Sequence, residues 1–350
     1  MSDLEIVRLD VHDDEAFDAW HHAYEVAEAA SGPDVAAPWQ LEEVRALMQR
    51  EGRRFWDEGW SGLVDGRVVT AGWVRLSLLD NTDRAELAVH TVPDARRRGY
   101  AAAMLDHVER VAREHGRTTM FGESSWPYAG GPAGAGEPGP EFARAAGYDL
   151  ALGDVKRTLA LPVPSGVLER MAAEVAPHHD GFTLRSWAGP VPDDLVEGWA
   201  RLNGSLTTEA PMGDLDLEPE YADVGTVRET EALIVAQGRT KYNTVALDPA
   251  GELVAFTDLA TTVHEPGRAY QWGTLVRGDA RGRRLGLAVK LANLRLLQTE
   301  RPDIHTLTTY NAEVNRHMVE VNERLGFVPV ARLGEFQKRL PRTKEEGPSG

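Results

Sequence analysis

An internal repeat constrains the fold of this chain more than any other feature of its 350 residues. A shift of 185 positions places the basic turn at residues 96–101 on residues 281–286, and residues 66–69 on residues 251–254, with no gap between them. Segments near both ends match at slightly smaller shifts. A period this long is typical of a duplicated domain rather than of a short solenoid repeat. The sequence therefore predicts two domains of the same fold, which the chain length also favours.

The first basic turn lies between a predicted strand and a predicted helix. The strand spans residues 85–92 and the helix residues 102–115. N–H groups at the start of a helix have no intrahelical partner, and the helix dipole adds positive charge there, so this order predicts an anion-binding turn. The glycine spacing is neither that of a Walker loop nor that of a dinucleotide loop. A solvated basic patch is the alternative interpretation.

The form Arg-x-x-Gly-x-Ala after a strand that ends near a proline resembles the pyrophosphate loop of the GNAT superfamily of acyl-CoA-dependent N-acyltransferases. With its second copy, the resemblance covers most of the chain as a tandem GNAT protein. It implies an α/β (α+β) fold of two GNAT-like domains, each a mixed, mostly antiparallel sheet flanked by helices. We expect these domains at residues 1–161 and 182–341, with a linker at 162–181 and a disordered tail at 342–350.

The resemblance also implies that acetyl-CoA is the cosubstrate and that the two turns hold its pyrophosphate. The expected contacts come from both turns, from the strand residues before them and from one downstream asparagine: Thr91, Val92, Arg96, Arg97, Arg98, Gly99, Tyr100, Ala101, Val276, Arg281, Gly282, Arg283, Arg284, Leu285, Gly286 and Asn315. The second turn departs from the family pattern, because Arg284 stands where the central glycine is expected.

Transfer of an acyl group to an amine needs a base that accepts the amine proton. Glu86 is the first candidate, because some GNAT enzymes use a glutamate near this place on the strand; a surface glutamate without a role is the alternative. The aligned residue of the second half is Gln271, which cannot be a base. Three residues could replace it there: Glu209, Glu313 and His264.

The leaving thiolate needs an acid or a hydrogen-bond donor. Many GNAT enzymes use a tyrosine in a segment that begins with Asn and precedes Gly-Phe, and residues 315–327 match this segment at its Asn and its Gly-Phe. Asn322 replaces the tyrosine, and an amide can donate a hydrogen bond but not a proton. The first half lacks the segment but has Glu86 and an intact loop glycine. We predict turnover in the first half, with the second half as the alternative.

The net charge of −17 disfavours nucleic acids and anionic membranes as partners and favours a cationic one. Six acidic and no basic residues between Glu209 and Asp223 form either a solvated loop or a rim that attracts an amine. The predicted acceptor is a small cationic amine. The chain has no cysteine and no apolar run of the ~20 residues that a membrane span needs, which fits a cytoplasmic protein. We expect a monomer or a homodimer.

Several alternatives stay open from the sequence. The paired histidines at residues 21–22 and 178–179 do not suggest a metal site, since adjacent helical residues face apart.

Residues 126–140 are rich in glycine and proline and predict an irregular segment, either a mobile surface loop or a substrate lid. The rivals to a small-molecule acetyltransferase are an inactive acyl-CoA-binding or sensing protein and a protein or peptide N-acetyltransferase.

Overall fold

A computed structural model describes residues 4–209, 213–215 and 217–340. The strands are Glu5–Arg8 (β1), Phe55–Val64 (β2), Arg67–Ser77 (β3), Arg84–Thr91 (β4), Thr119–Pro127 (β5), Asp149–Ala160 (β6), Thr183–Ala188 (β7), Arg239–Leu247 (β8), Leu253–Thr262 (β9), Arg268–Val276 (β10), Thr306–Ala312 (β11) and Val328–Arg339 (β12). The α-helices are Asp14–Ala29 (α1), Leu41–Gln49 (α2), Tyr100–Glu114 (α3), Pro138–Ala145 (α4), Ser165–Val175 (α5), Val196–Gly204 (α6), Leu206–Glu209 (α7), Val224–Ala236 (α8), Leu285–Glu300 (α9) and Arg316–Leu325 (α10).

Local sequence signals fix several of these elements where they were predicted. Asp13 caps α1, because its side chain accepts a hydrogen bond from the Ala16 N–H at 3.1 Å. Asp65 and Gly66 both have positive φ, 51° and 77°, as a tight hairpin turn between β2 and β3 requires. Within the predicted linker lies α5, whose apolar face joins the core around α9.

The strands form one mixed sheet in the order β1-β2-β3-β4-β5-β12-β6-β11-β10-β9-β8-β7. The pairs β4–β5 and β10–β11 are parallel and the other pairs are antiparallel, so the predicted fold class is confirmed. The two halves exchange their last strands. The final strand, β12, pairs with β5 of the first half, and β6 of the first half pairs with β11 of the second. Each half of the sheet is therefore completed by the other half of the chain.

Helices cover both faces of the sheet. On one face α1 and α2 pack on β3 and β4, and α6 and α8 pack on β8 and β9; we call this the α1 face. On the opposite face α3 and α9 cover the two halves, and we call this the α3 face. The halves also meet through Glu43 of α2, which is fully buried. Its carboxylate pairs with Arg239 Nη2 at 2.9 Å and accepts a hydrogen bond from Thr262, and such a buried pair is costly to break.

The segment at residues 126–140 is more regular than predicted. Trp126 and Pro127 end β5, Tyr128–Gly130 is a 3-10 helix, and α4 begins at Pro138, so the prediction of an irregular segment is wrong at both ends. The reason is that Trp126 is a core residue, 1% exposed, whose Nε1 donates to the Gly131 carbonyl at 2.8 Å. The predicted tail at 342–350 lies outside the described residues. None of the described helices is long and apolar enough to span a bilayer.

Candidate functional site

A slot opens in each half where two parallel strands separate. In the first half β4 and β5 pair only from Arg84 to Glu86, so the β5 side of the remaining β4 backbone has no strand partner. In the second half β10 and β11 pair from Arg268 to Gln271 and then separate. Each slot runs toward one of the two basic turns, and predicted contact residues Thr91 and Val276 are the last residues of β4 and β10.

The two turns have the same backbone shape. Each contains two residues in the left-handed region: Arg97 (φ 63°) and Gly99 (φ 88°) in the first turn, Gly282 (φ 81°) and Arg284 (φ 54°) in the second. In the first turn the second left-handed position is a glycine, Gly99, whereas in the second turn the first left-handed position is a glycine, Gly282. An arginine in this region is strained by roughly 1–2 kcal/mol relative to glycine. The exact alignment of the two turns, including Arg284 in the place of Gly99, is confirmed.

The first turn fits an anionic group. Helix α3 begins at Tyr100, so its first N–H groups point toward the turn. A Cβ added at Gly99 would meet no atom within 4 Å, which shows open space in front of the helix. Arg97 and Arg98 are exposed, and neither makes a salt bridge within the described residues. These features suit a pyrophosphate.

Arg96 and Arg281, both predicted to contact the cofactor, hold the turns in place instead. Arg96 donates to the carbonyls of Thr91 at 3.1 Å and Ala27 at 3.0 Å. Arg281 repeats the pattern with the carbonyls of Val276 at 3.3 Å and Glu209 at 3.2 Å. Both guanidinium groups therefore tie the start of a turn to the preceding strand and to the end of a helix.

The arginines of the second turn are already engaged by the protein. Arg281 Nη2 lies 2.7 Å from a carboxylate oxygen of Glu209, and Arg284 Nη1 lies 2.8 Å from one of Glu174. Arg283 stacks over the ring of Phe182 at 5.3 Å. An anion that binds the second turn must therefore compete with two carboxylates, whereas the first turn offers its arginines directly.

A cavity of about 240 Å³ lies on the α1 face, beside the point where β4 and β5 separate. Its wall combines carboxylates, arginines and apolar side chains: Asp80, Glu86, Glu123, Glu220, Glu335, Arg54, Arg75, Arg84, Phe55, Phe121, Leu215 and Leu217. Leu215, Leu217 and Glu220 belong to the acidic segment of the second half. That segment is fastened to the first half, because Asp80 accepts from the Tyr221 N–H and Asn81 accepts from the Glu218 N–H, both at 2.9 Å.

The cavity brings Glu86 together with two carboxylates that the sequence analysis missed. Glu123 lies on β5, two residues beyond the residue that pairs with Glu86. Glu335 is the residue of β12 that pairs with Glu123. Glu123 is accessible from the open cleft but has protein on most sides; its loss of hydration, followed by the charges of Glu86 and Glu335, raises its pKa to about 8. Burial and the charges of Asp154 and Glu86 raise the pKa of Glu335 to about 7. Arg75 Nη1 lies 3.9 Å from Glu86.

The second half does not repeat this arrangement. A β-bulge between Gln271 and Thr274 adds one residue to β10, so Gln271 turns toward the α3 face and donates to Thr257 Oγ1 at 3.0 Å. Tyr270, not Gln271, points to the α1 face as Glu86 does. The aligned position predicted for the second half is therefore wrong by one residue. Tyr270 donates to Glu265 at 2.6 Å.

The downstream asparagines of the second half have structural contacts. Asn315 caps α10, accepting from the Met318 N–H at 3.2 Å. Asn322 is fully buried; its Nδ2 donates to Asn311, and its Oδ1 has no partner among the described residues.

Each of the three alternative bases of the second half lies next to an oppositely charged or ionisable side chain. Glu313 pairs with Arg332 at 2.6 Å, His264 lies 3.5 Å from Glu42, and Glu209 pairs with Arg281. The described part of the second half thus shows no counterpart of the Glu86–Glu123 pair.

Comparisons with known proteins agree with this geometry. The model of the Acetyltransferase (GNAT) family matches residues 16–124. A tandem GNAT protein from the clavulanic acid biosynthesis pathway, solved without AcCoA, is 28% identical with a TM-score of 0.75, over 97% of this chain and 100% of that one. A search of curated proteins found no matching sequence.

Two more distant structures share the fold. A GCN5-related N-acetyltransferase from Sphaerobacter thermophilus is 14% identical with a TM-score of 0.61, over 96% of this chain and 95% of that one. N-myristoyltransferase of Saccharomyces cerevisiae with bound myristoyl-CoA is 11% identical with a TM-score of 0.59, over 97% of this chain and 79% of that one. Both support a fold that extends over nearly the whole chain.

Proposed function

We propose that this chain is a tandem member of the GNAT superfamily and that its first half transfers an acetyl group from acetyl-CoA to a primary amine of a small molecule. The GNAT fold supports acyl-CoA-dependent N-acyltransferase activity. One observation carries the finer assignment: Glu86, Glu123 and Glu335 meet in a cavity at the closed end of the first slot. Such a site attracts a cationic amine and can take its proton.

The first half has the groups that acetyl-CoA needs. Arg97, Arg98 and the N–H groups at the start of α3 would hold the pyrophosphate, and the unpaired edge of β4 would hold the pantetheine chain. The thioester supplies the activated acetyl group. Arg96 contributes indirectly, because it fixes the turn that presents these donors.

Glu123 is our choice for the base. An amine enters the cavity as an ammonium ion and must lose a proton before it attacks a carbonyl carbon. A carboxylate with a pKa of about 8 binds that proton more strongly than one with an ordinary pKa, and about a tenth of the molecules carry it ionised and ready to accept at pH 7. Glu86 acts through Glu123, since its negative charge is part of what raises the pKa of Glu123.

The acceptor is a small molecule rather than a protein. An open groove would suit a peptide chain, but the apolar side chains Leu215 and Leu217 of the second half lie over the cavity. We also propose a cytoplasmic location, which the lack of cysteine supports. The prediction of a monomer or homodimer stays a prediction.

The test is thiol release from acetyl-CoA with a panel of primary amines, together with the mass of the products. We expect turnover with primary amines and a product heavier by one acetyl group. Binding of CoA, seen as a rise in melting temperature, without turnover of any amine would identify an acyl-CoA-binding protein instead.

A further inference from the structure

We propose that His90 moves the second proton of the reaction, from the attacking nitrogen to the sulfur of CoA, and that Glu28 holds its ring in position for this step. The inference rests on the proposed function, which assigns a base for the ammonium group but no group that protonates the leaving thiolate. Such a group must lie beside the slot of the first half, on the face that contains the acceptor cavity.

His90 lies on the stretch of β4 that has no strand partner on its β5 side. Strands β3 and β4 pair without a bulge from Glu86 to His90, so His90 projects to the α1 face as Glu86 does. Glu123 lies on β5 two residues beyond the partner of Glu86, and His90 is therefore about 7 Å farther along the slot than Glu123. Besides burial and the charge of Glu86, the charge of Glu28 helps to raise the pKa of Glu123. The histidine, its carboxylate and the base thus lie around one stretch of the slot.

The ring of His90 is fixed on two sides by α1. Its Nδ1 lies 3.2 Å from a carboxylate oxygen of Glu28, and the ring meets that of Tyr24 edge-on, with 4.8 Å between the centroids. Tyr24 is held in turn, because its hydroxyl accepts a hydrogen bond from the Trp39 N–H at 2.8 Å. A carboxylate at Nδ1 favours the tautomer that has its proton on that nitrogen, which leaves the lone pair of Nε2 as an acceptor.

The second ring nitrogen, Nε2, is open to a ligand. It has no hydrogen-bond partner in the part of the chain that the structure describes, and 21% of the His90 side chain is exposed. Burial alone would raise the pKa of Glu28, but the hydrogen bond from His90 and the charge of Arg96 outweigh it, so the pKa is lowered. An ionised Glu28 stabilises the imidazolium that forms when Nε2 takes a proton.

The aligned position of the second half has a different kind of residue. The shift of 185 residues places Leu275 on His90. Leu275 is 6% exposed and belongs to a core cluster with Trp199 and Phe256. An imidazole therefore stands at this place on the strand only in the half that also has the proposed base.

The proposed step balances protons and electron pairs. Glu123 takes one proton from the ammonium group, and the neutral amine attacks the thioester carbon. The bonded nitrogen then carries one proton more than the amide product, and Nε2 of His90 takes it. When the C–S bond breaks, its electron pair stays on sulfur, and the His90 imidazolium gives its proton to the thiolate. The products are the amide and CoA, and His90 is neutral again.

The experiment measures kcat with acetyl-CoA and the primary amine of highest turnover, and CoA affinity by calorimetry, for two variants. His90→Asn keeps a donor for Glu28 but lacks Nε2, and His90→Gln places an amide near the position of Nε2. An amide does not take up and release a proton, so both should lower kcat by roughly 10²-fold or more. CoA affinity should stay close to that of the unaltered protein. The matched control is His12→Gln, which changes an exposed histidine. Either variant suffices if the other folds poorly.

Two further measurements separate proton transfer from packing. Glu28→Gln should lower kcat by a smaller factor than the His90 variants, because the imidazole remains but is held less firmly. Free imidazole should restore part of kcat to His90→Ala in a saturable manner and should restore none to Glu123→Gln. Loss of kcat at position 90 without this rescue would indicate a structural role and contradict the inference.

The outcomes also separate this inference from the proposed function. If the unaltered protein acetylates an amine and the His90 variants keep kcat within about threefold, the inference is wrong while the proposed function stands. Tyr310 is the rival, since it lies close enough to Glu123 for that charge to help, after burial, to raise its pKa. A larger loss of kcat in Tyr310→Phe than in either His90 variant would assign the step to that hydroxyl and overturn the inference. If no amine is turned over, the proposed function fails and the inference fails with it.

Discussion

The first and second halves of the chain bend their basic turns through the same pair of left-handed positions, yet the charges around the turns differ. The first turn leaves Arg97 and Arg98 exposed, while Arg281 and Arg284 of the second are paired with carboxylates. Backbone shape alone therefore does not show which half binds an anion. In a duplicated fold the chemistry depends on side chains that lie outside the repeated motif.

The α1 faces of the two halves differ in the same way. Leu215, Leu217 and Glu220, between α6 and α8, line the first-half cavity, and residues 35 and 36, between α1 and α2, lie at the corresponding place in the second half. There Lys156 of β6 donates to the carbonyls of Val35 at 3.3 Å and Ala36 at 3.2 Å. Lys156 is buried, and burial lowers its pKa. A site that is acidic and open in one half is thus filled by a lysine and the backbone in the other.

The largest expected effect is the loss of kcat when the proposed base of the first half is removed, because the second half has no counterpart of that base among its described residues. Glu123→Gln removes the proposed base and should lower kcat by roughly 10²–10⁴-fold. In the unaltered protein kcat/KM should rise with pH through about 8, because the base must lose its proton, and Glu123→Gln should abolish that rise. Steady-state kinetics from pH 6 to 9.5 measure both effects.

Two further variants check this assignment. Glu86→Gln removes a neighbouring negative charge and should move the pH-dependent rise to lower pH, whereas a drop in kcat of the same size as for Glu123→Gln would make Glu86 the base. Asn322→Ala should leave kcat close to that of the unaltered protein. If Asn322→Ala abolishes turnover and Glu123→Gln does not, the second half is the active one.

The next effect compares the two turns. Replacing Arg97 and Arg98 by alanine should weaken CoA binding by about 10–100-fold, since charge-assisted hydrogen bonds to phosphate are lost. The same change at Arg283 and Arg284 should alter the affinity by less than about threefold, because Arg284 already pairs with Glu174. Calorimetry of CoA binding measures both. Arg110→Ala on α3 shows the effect of one positive charge lost outside the turns. Equal losses at the two turns would remove the distinction between them.

A smaller effect is expected when an arginine of the second turn is freed, because that turn then resembles the first and should bind CoA more tightly. Glu174 binds both Arg284 and Arg324, so Glu174→Gln frees one loop arginine and should increase CoA affinity at the second turn by a few-fold. The matched control is Glu169→Gln, which changes the same charge on an exposed position of α5. Calorimetry in a protein that already carries the Arg97 and Arg98 changes isolates the second turn. No gain over the control would show that Glu174 does not block it.

The smallest expected effect concerns stability. Glu335 has a pKa near 7 in the folded protein and 4.5 as its ordinary value, so the folded form keeps a proton that the unfolded form loses. Glu335 therefore adds to the free energy of unfolding below pH 4.5, and this stabilisation is lost as the pH rises to about 7. Glu335→Gln should therefore match the unaltered protein near pH 4.5 and exceed it by about 1 kcal/mol at pH 8. Melting temperatures across this range, with exposed Glu320→Gln as control, test the sign.

Sequence patterns predicted those features that depend on nearby residues. The turns, the cap at Asp13 and the hairpin at Asp65–Gly66 follow from local preferences, and the repeat placed the second turn without a gap. The bulge in β10 was missed because one added residue moves a side chain to the other face while the turn beyond it keeps its alignment.

The acidic cavity was missed for a different reason. Glu123 and Glu335 are far apart in the chain and meet only because β12 pairs with β5. Strand order in a large sheet is not contained in the periodicity of any single strand. The available signal was weak: Glu123 is the one charged residue of β5, but β12 also contains Arg332, Lys338 and Arg339, so nothing in its sequence singles out Glu335.

The exchange of last strands has a consequence for how the protein is made. A ribosome releases the chain from its first residue onward, and β5 then has no partner on the side that β12 later occupies. That exposed edge persists until residues 328–339 have been synthesised. Unpaired strand edges promote association between chains. The first half therefore cannot complete its part of the sheet early. Every interruption of translation before β12 leaves a nascent chain with an open sheet edge and without Glu335 in the wall of the cavity.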